Sequence, residues 1–469
     1  MVPGNRLTWF LLLVISSPST LAEGQGRYDL EHDFQAALTE YNAGQFAEAA
    51  TRLEKLSRDL PASFEVHELL GLAYSAQSQD AKASEHLERA VRLKPDSAAA
   101  RTNFAASLAR QGKFAPAEEQ LRTAVKLEPR NYDANHNLGE LYVRAGKIAA
   151  AVSLLEQAQR INPSSYDNGY DLSLAYLHGG RTVAARKLIH DLLAHKDAAE
   201  LHNLLGQIEE KSGNFVVAAK EFESAAHLEP TEGNLFDWSS ELLLHRTLDP
   251  AIEVFKQGTQ HYPSSTRMAI GLGIAFYSRG NYDDAVKLLL RAADLNASDA
   301  NCYLFLSRAY DSAPSQANEV IERFRRFAEL QPKNARAPYY YAMSLWKGKR
   351  AQDADIDLHQ IEALLKAAIA LDPKFAEARL QLGNLYSDQK RYADAIPQYV
   401  SALKENPELG DAHYRLGQAY VRTGDKQRAQ EHFEVYQRVR AEHLAEIDKQ
   451  RAEVRQFVYT AKNAPSAKE

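Results

Sequence analysis

The chain is poor in cysteine and carries no excess of positive charge. Cys302 is its only cysteine, so no disulfide can form within the chain and no cysteine-based zinc site can be built. Lysine and arginine total 56 against 62 aspartate and glutamate residues, which gives a net charge of −6. Nucleic-acid binding needs a basic face that displaces counterions from phosphate, so this balance argues against a nucleic-acid partner.

Apolar runs long enough to cross a bilayer are not expected in the mature chain. Near the N-terminus Arg6 is followed by a mostly apolar run from Leu7 to Ile15, which is too short to span a membrane. Thr20 and Ala22 then supply small residues at the positions that a signal peptidase reads. We expect residues 1–22 to be a signal peptide cut after Ala22, and the mature protein to be periplasmic or secreted. The alternative is a loosely apolar or disordered N-terminus.

Catalytic motifs are also missing. The sequence contains no zinc-protease motif, nucleophile elbow, phosphate-binding loop or dinucleotide fingerprint. The fifteen histidines are dispersed, and His190 and His195 are five residues apart, a spacing that does not place them on one helix face. We therefore expect no metal site, no cofactor and no enzymatic activity.

A repeat of about 34 residues fills most of the chain. Prolines recur at this interval, at Pro61, Pro95, Pro129 and Pro163. An alanine keeps the same period, and a glycine, serine or alanine lies twelve residues before it in most units. A fixed period of this length is typical of a solenoid. Units begin near residues 30, 64, 98, 132, 166, 199, 232, 266, 300, 335, 376 and 410, and positions within a unit are counted from these starts.

Each unit resembles a tetratricopeptide repeat. One unit reads His67-x2-Leu70-Gly71-x2-Tyr74, followed by Ala83, Leu87 and Pro95. This is the family's pattern, although the leading tryptophan is replaced throughout. The resemblance implies an all-α, right-handed superhelical solenoid of about twelve helix-turn-helix repeats over residues 23–439. A long C-terminal capping helix is expected over residues 440–459 and a disordered tail over 460–469. A second, partner-binding role of that helix is the alternative, and the insertion around residues 347–360 is a further place where a partner could bind.

In this family the first helices line a concave groove, and positions 2, 5, 6, 9 and 12 of each unit face it. In the tenth unit the resemblance places Tyr341 in the core, and it places five residues on the groove: Arg336, Tyr339, Tyr340, Met343 and Trp346. Neighbouring units add Arg267, Tyr277, Phe305 and Arg308, whereas earlier units present acidic residues that include Asp171 and Asp237. Tyrosine, tryptophan and arginine are enriched at binding hot spots. The alternative is that the aromatic side chains fill gaps between adjacent repeats.

These observations predict a non-catalytic scaffold or adaptor that binds a peptide or protein in the groove. The alternative is an accessory or assembly subunit of a cell-envelope enzyme or export complex, of the polysaccharide or pilus type.

Overall fold

The computed structural model describes residues 21–313, 315–351 and 357–441, together with residues 452, 454, 455 and 458. Within this part of the chain all regular structure is α-helical, and twenty-four helices pair into twelve hairpins. The chain divides into two compact units, residues 1–195 with five hairpins and residues 196–469 with seven. The prediction of an all-α array of about twelve helix-turn-helix repeats is confirmed.

The helices of the first unit are α1 (Leu21–Asn42), α2 (Phe46–Asp59), α3 (Phe64–Ala76), α4 (Asp80–Leu93), α5 (Ala98–Arg110), α6 (Phe114–Leu127), α7 (Tyr132–Arg144), α8 (Ile148–Ile161), α9 (Tyr166–His178) and α10 (Thr182–Leu193). Those of the second unit are α11 (Ala199–Lys211), α12 (Phe215–Leu228), α13 (Glu232–Leu244), α14 (Leu248–His261), α15 (Thr266–Arg279), α16 (Tyr282–Leu295), α17 (Ala300–Ser312), α18 (Ala317–Leu330), α19 (Arg336–Ala351), α20 (Leu358–Leu371), α21 (Ala376–Asp388), α22 (Tyr392–Glu405), α23 (Gly410–Thr423) and α24 (Lys426–Ala441). Odd-numbered helices are the first helices of the repeats.

Some sequence predictions fall outside these residues. Residues 1–20 of the predicted signal peptide and the whole predicted tail, 460–469, lie outside the described part of the chain. So do residues 352–356 of the insertion and most of the predicted capping helix, 440–459. None of the helices that the structure describes is both long and apolar enough to cross a membrane.

In six hairpins a glycine of the first helix meets a large residue of the second. A Cβ atom built on Gly139 would lie 2.6 Å from Leu155 Cγ, and one built on Gly383 would lie 2.6 Å from Tyr399 Cε1. Carbon atoms do not approach this closely, so the backbone of the first helix needs glycine at these points. The repeated small residue therefore sets the distance between the two helices of a pair.

At the position that holds tryptophan in the family pattern, this chain has polar side chains that form hydrogen bonds to the preceding repeat. His67 Nε2 lies 3.2 Å from the Pro61 carbonyl oxygen, and Arg101 Nε donates to the Pro95 carbonyl at 2.8 Å. The same contact recurs in Asn135–Pro129, Arg379–Pro373 and His413–Pro407. A polar side chain thus ties the start of each of these first helices to the end of the preceding repeat.

The first helices lie on the inner side of each stack. In the first unit α1, α3, α5, α7 and α9 contact one another in sequence, and no comparable contacts join its second helices among the described residues. In the second unit the pairs α13–α15, α15–α17, α17–α19 and α21–α23 are in contact, whereas α16–α18 is the comparable pair of second helices. Closer spacing on one side curves a stack toward that side. The first helices therefore line a concave inner face in each unit.

Candidate partner-binding face

At position 6 of the first helix, the polarity of the side chain determines whether it is buried or partly exposed. Leu69, Leu204, Phe305 and Tyr340 occupy this position and are buried, whereas Asn103, Asn137, Asp171 and Asp237 occupy it and stay partly exposed. Apolar side chains here gain by leaving water for the space beside the preceding repeat. The position thus borders the inner face without always belonging to it.

The prediction that Tyr340 and Trp346 lie on the groove surface is therefore wrong. Tyr340 is 6% exposed and its ring lies 5.6 Å from that of Phe324, on the second helix of the preceding repeat. Trp346 is also 6% exposed, within the cluster that joins repeats 10 to 12. These two side chains fill the space between repeats, which is the alternative considered for them above.

The prediction that Tyr341 is the core tyrosine is also wrong. This residue is half-buried, and its hydroxyl accepts a hydrogen bond from Gln360 Nε2 at 3.3 Å. Phe305, predicted on the groove, is 2% exposed and belongs to the core. The position within the repeat assigns a helix face, but the free space behind that face decides how deeply a large ring enters.

Arg267, predicted on the groove, lies in a largely buried ion pair between two repeats. Its Nε donates to Glu232 Oε1 at 2.9 Å, and its guanidinium lies 5.1 Å from the centre of the Phe236 ring. Both charged side chains are largely buried, at 13% and 7% exposure. The ion pair joins the start of α15 to the start of α13, so Arg267 holds two repeats together and is not an open basic group.

The remaining predicted residues of repeats 8 to 10 stay accessible on the inner face. Arg336 is exposed, and Arg308, Tyr339, Met343 and Tyr277 are each partly exposed. The Tyr339 ring packs against Phe375 at 4.9 Å, so only part of this tyrosine is open. Burial raises the pKa of Tyr277, while the positive charge of Arg308 acts in the opposite direction. These residues form an aromatic and basic strip across three first helices.

The first unit presents an acidic counterpart on α7 and α9. Asp171 Oδ2 lies 3.7 Å from His136 Nε2, and burial raises the pKa of the Asp171 carboxyl to about 6. The carboxylates of Glu140 and Asp167 raise this pKa further, while His136 and Arg144 lower it. Several negative charges are therefore held close together on this part of the inner face.

Asp237 is engaged by the neighbouring repeat in the second unit. Asn203 Nδ2 donates to Asp237 Oδ2 at 2.8 Å and to Asn234 Oδ1 at 3.1 Å. Gln207 Nε2 in turn donates to Asn203 Oδ1 at 2.7 Å. The polar side chains of α11 and α13 thus form a hydrogen-bonded row, and Asp237 remains partly exposed at its edge.

Residues near the C-terminus also pack into the apolar cluster beneath this face, a contact that the sequence did not predict. Val458 is fully buried in the apolar cluster that extends over repeats 6 to 10, and Val454 packs against it. The sequence predicts a cap on the last repeat over residues 440–459, whereas these two valines pack against earlier repeats. The signal available in the sequence was their spacing of four residues, which places them on one side of a helix.

Metal ligands and the single cysteine were the candidate reactive groups in the part of the chain that the structure describes. No group of three or more histidine, cysteine, aspartate or glutamate side chains there could hold a metal ion. Cys302 is buried, its Sγ donates to the Leu289 carbonyl oxygen at 3.0 Å, and burial raises the pKa of its thiol. A thiol held protonated in this way is a poor nucleophile.

Comparison with known proteins gives the family. A tetratricopeptide repeat model matches more than half of the chain, over residues 34–98, 102–166, 242–300, 361–400 and 380–442. A second tetratricopeptide repeat model matches residues 142–208. Among curated proteins no relative matches the chain in sequence.

Several solved structures are similar in fold. Yeast Tom70 is 16% identical, with 92% of this chain and 96% of that one covered and a TM-score of 0.36. Pseudomonas aeruginosa pilF is 21% identical, with 44% of this chain and 94% of that one covered and a TM-score of 0.39. YrrB, a TPR protein with an unusual peptide-binding site, is 18% identical, with 41% and 99% covered and a TM-score of 0.34. With its repeats matched over more than half of its length, the chain belongs to the tetratricopeptide repeat family.

Proposed function

We propose that this protein is a non-catalytic scaffold that binds a protein or peptide along the inner faces of its repeats. The observation that carries the proposal concerns position 9 of the first helices. This position is partly exposed in ten of the twelve repeats, at Leu38, Leu72, Ala106, Glu140, Leu174, Gln207, Arg308, Met343, Asn384 and Gln418. Within each unit, accessible side chains on successive repeats make a row and not an enclosed cavity.

The dimensions of such a row suit a polypeptide. Packed helices lie about 10 Å apart, so five consecutive first helices offer roughly 40 Å, the length of about twelve residues of extended chain. The chemistry of the row also changes along the chain. Glu140 lies in the acidic part around Asp171, whereas Arg308 and Met343 lie in the aromatic and basic strip of repeats 8 to 10. Each unit therefore favours a partner segment whose charge is complementary to its own part of the inner face.

The test is affinity capture of the protein's partner from its own cell envelope, followed by binding measurements with the purified partner. Arg308→Glu and Glu140→Lys reverse charges on the inner face. Arg326→Glu and Glu119→Lys make the same changes at exposed positions of second helices and serve as matched controls. At least one inner-face variant should weaken binding about tenfold or more, and both controls should bind normally. Equal affinity for all four variants would place binding elsewhere on the protein.

We also propose that the protein is exported, on the strength of Arg6 and the short apolar run that follows it. An exported scaffold would meet its partner outside the cytoplasm. The second candidate function, an accessory or assembly subunit of an envelope enzyme or export complex, follows from this location. The identity of the captured partner separates the two candidates.

A further inference from the structure

The residues described near the C-terminus have an amphipathic arrangement. Residues 452, 454, 455 and 458 are helical. Val458 is fully buried and Val454 partly buried, whereas Ala452 and Arg455 are exposed. Residues four apart lie on the same side of a helix, so the two valines form an apolar side and Arg455 faces solvent.

The two valines meet repeats that precede them by nearly two hundred residues. The buried cluster that contains Val458 also contains Phe236, Ile270 and Ile274, which occupy positions 5, 5 and 9 of first helices α13 and α15. Arg455 lies close enough to His245, at the end of α13, for its positive charge to add to burial in lowering the pKa of that imidazole. Val458 therefore shares its apolar cluster with residues on the inner side of repeats 7 and 8, and Arg455 lies near the end of α13.

Position 9 shows independently that something covers this part of the inner face. Ser240 in repeat 7 and Ile274 in repeat 8 are 0% exposed, whereas position 9 is partly exposed in the ten other repeats. Neighbouring first helices alone leave this position open, as those ten repeats demonstrate. Both repeats belong to the apolar cluster over repeats 6 to 10 that includes Val458, and within it only their position 9 is fully buried.

We propose that the C-terminal segment carrying Val454 and Val458 binds the inner face of repeats 7 and 8 as an intramolecular ligand. A tethered segment has an effective concentration of about a millimolar, so it competes strongly with a free ligand for the same site. Any external chain that binds repeats 7 and 8 must first displace it. Such a competitor needs an amphipathic helix with branched apolar side chains four residues apart, like the segment it replaces.

The test measures how accessible position 240 is to a thiol reagent in the full-length protein. Ser240→Cys is nearly isosteric, and the Ser240 hydroxyl makes no hydrogen bond to any described residue. The native Cys302 is fully buried and reports on the fold. Ala106→Cys, at the partly exposed position 9 of repeat 3, gives the labelling rate of an open site. In an otherwise native chain, the thiol at position 240 should react at least tenfold more slowly than the thiol at position 106.

Val458→Asp should release the segment, because a carboxylate cannot remain in the apolar cluster. Labelling at position 240 should then rise at least tenfold while Cys302 stays unreactive. Ala452→Asp, an equivalent change at an exposed position of the same segment, should leave the labelling rate unchanged.

Two outcomes would overturn the proposal. Unchanged labelling at position 240 in the Val458→Asp protein would mean that another part of the chain covers Ser240. Simultaneous exposure of position 240 and Cys302 would mean that Val458 is an integral part of the core and not a releasable occupant. Neither outcome involves an external partner, so failure here is distinguishable from failure of the proposed scaffold function.

Discussion

The Nδ1 atoms of His67 and His86 lie 3.1 Å apart across the second hairpin, a hydrogen-bonding distance that accommodates only one proton. His67 Nε2 also lies 3.2 Å from the Pro61 carbonyl oxygen, to which it must donate. Because burial also lowers the pKa of His67, its ring is neutral with the proton on Nε2, and its Nδ1 accepts a hydrogen bond from His86. The same arrangement recurs in the last hairpin, where the Nδ1 atoms of His413 and His432 are 2.9 Å apart.

This pair should make the second hairpin sensitive to acid. Burial is the main cause that lowers the pKa of His67 and of His86. Below pH 6.5 these two histidines therefore bind more protons in the unfolded chain than in the folded chain, and their contribution to the free energy of unfolding falls as the pH falls. Other charged groups that act on these two rings are Glu54, Lys82, Glu85 and Arg89.

His86→Gln should reduce this loss of stability between pH 7 and pH 5. Gln120 occupies the same position in the third hairpin, where its Oε1 accepts a hydrogen bond from Arg101 at 2.6 Å, so the fold tolerates the side chain. The measurement is hydrogen exchange in α3 and α4 across this pH range for both proteins. The other ionisable groups are common to both, so identical pH dependence would contradict the account of the histidine pair.

Glu68 on the same helix should act in the opposite direction. Its side chain is buried, and burial raises the pKa of its carboxyl to about 7; the charge of Glu65 raises this pKa further, whereas Lys94 and a hydrogen bond with Asn103 lower it. A raised folded pKa means that this group's contribution to stability is present below about pH 4.5 and is lost as the pH rises through 7. Glu68→Gln should therefore stabilise the protein at pH 8 by about 1–3 kcal/mol and change little at pH 4.

Chemical denaturation of the native and Glu68→Gln proteins at pH 4 and pH 8 checks this. Glu119→Gln is the matched control, because it removes the same charge at an exposed position of α6. A control that stabilises at pH 8 as much as Glu68→Gln would show that net charge, and not burial of Glu68, is responsible.

Close helix approach at Gly139 gives a prediction about local stability. Gly139→Leu should lower the free energy of unfolding by about 1–3 kcal/mol, because the new side chain would meet Leu155 at 2.6 Å from its first carbon. Repeat arrays distribute stability by neighbouring interfaces, so the loss should be concentrated in α7, α8 and the adjacent hairpins. Ala149→Leu adds the same side chain at an exposed position of α8 and should be nearly neutral. Hydrogen exchange that weakened uniformly across residues 1–195 would contradict this local model.

Features that repeat were predictable from the sequence because each is imposed by the same local geometry. Gly139 and Gly383 could be assigned to helix contacts, since their partners Leu155 and Tyr399 follow at a fixed distance in the chain. The starts of most first helices also agree with the unit boundaries inferred from the period. Local spacing is sufficient wherever the contact lies within one hairpin.

Features that occur once were not predictable in this way. The depth of Tyr340 depends on the space beside Phe324 in the preceding repeat, which the period of the tenth repeat does not describe. The contact of Val458 with the cluster around Ile274 joins residues far apart in the chain, and no repeat position encodes it. Long-range contacts of this kind need the three-dimensional arrangement of several repeats.

Export remains a prediction of the sequence. The positive Arg6, the apolar run after it and the small residues Thr20 and Ala22 predict cleavage after Ala22. Native protein isolated from its source should therefore begin at Glu23 when its N-terminus is sequenced. Changing Ala22 to a bulky residue, as in Ala22→Leu, should block cleavage there and leave a longer chain. A native chain that begins at Met1 and is recovered from the cytosol would contradict export.

Substitutions in and after the tyrosine run of α19 distinguish residues that pack in the core from residues at the surface. Tyr340 and Trp346 are buried, so Tyr340→Ala and Trp346→Ala should each lower the free energy of unfolding by about 3–5 kcal/mol. Tyr341→Ala should have a smaller effect, because Tyr341 is half-buried and its hydroxyl hydrogen bond to Gln360 is at the surface. Chemical denaturation of the three variants gives this order directly.

Partner affinity should follow a different order on the same helix. Arg336 and Met343 remain accessible, so Arg336→Ala and Met343→Ala should weaken binding of the captured partner while changing stability little. Tyr341→Ala is the control for a surface tyrosine that faces α20. If Arg336→Ala and Met343→Ala both left affinity unchanged, the accessible strip on α19 would not be a binding surface. A Tyr341→Ala protein less stable than the Tyr340→Ala and Trp346→Ala proteins would instead contradict the packing assigned to these three residues.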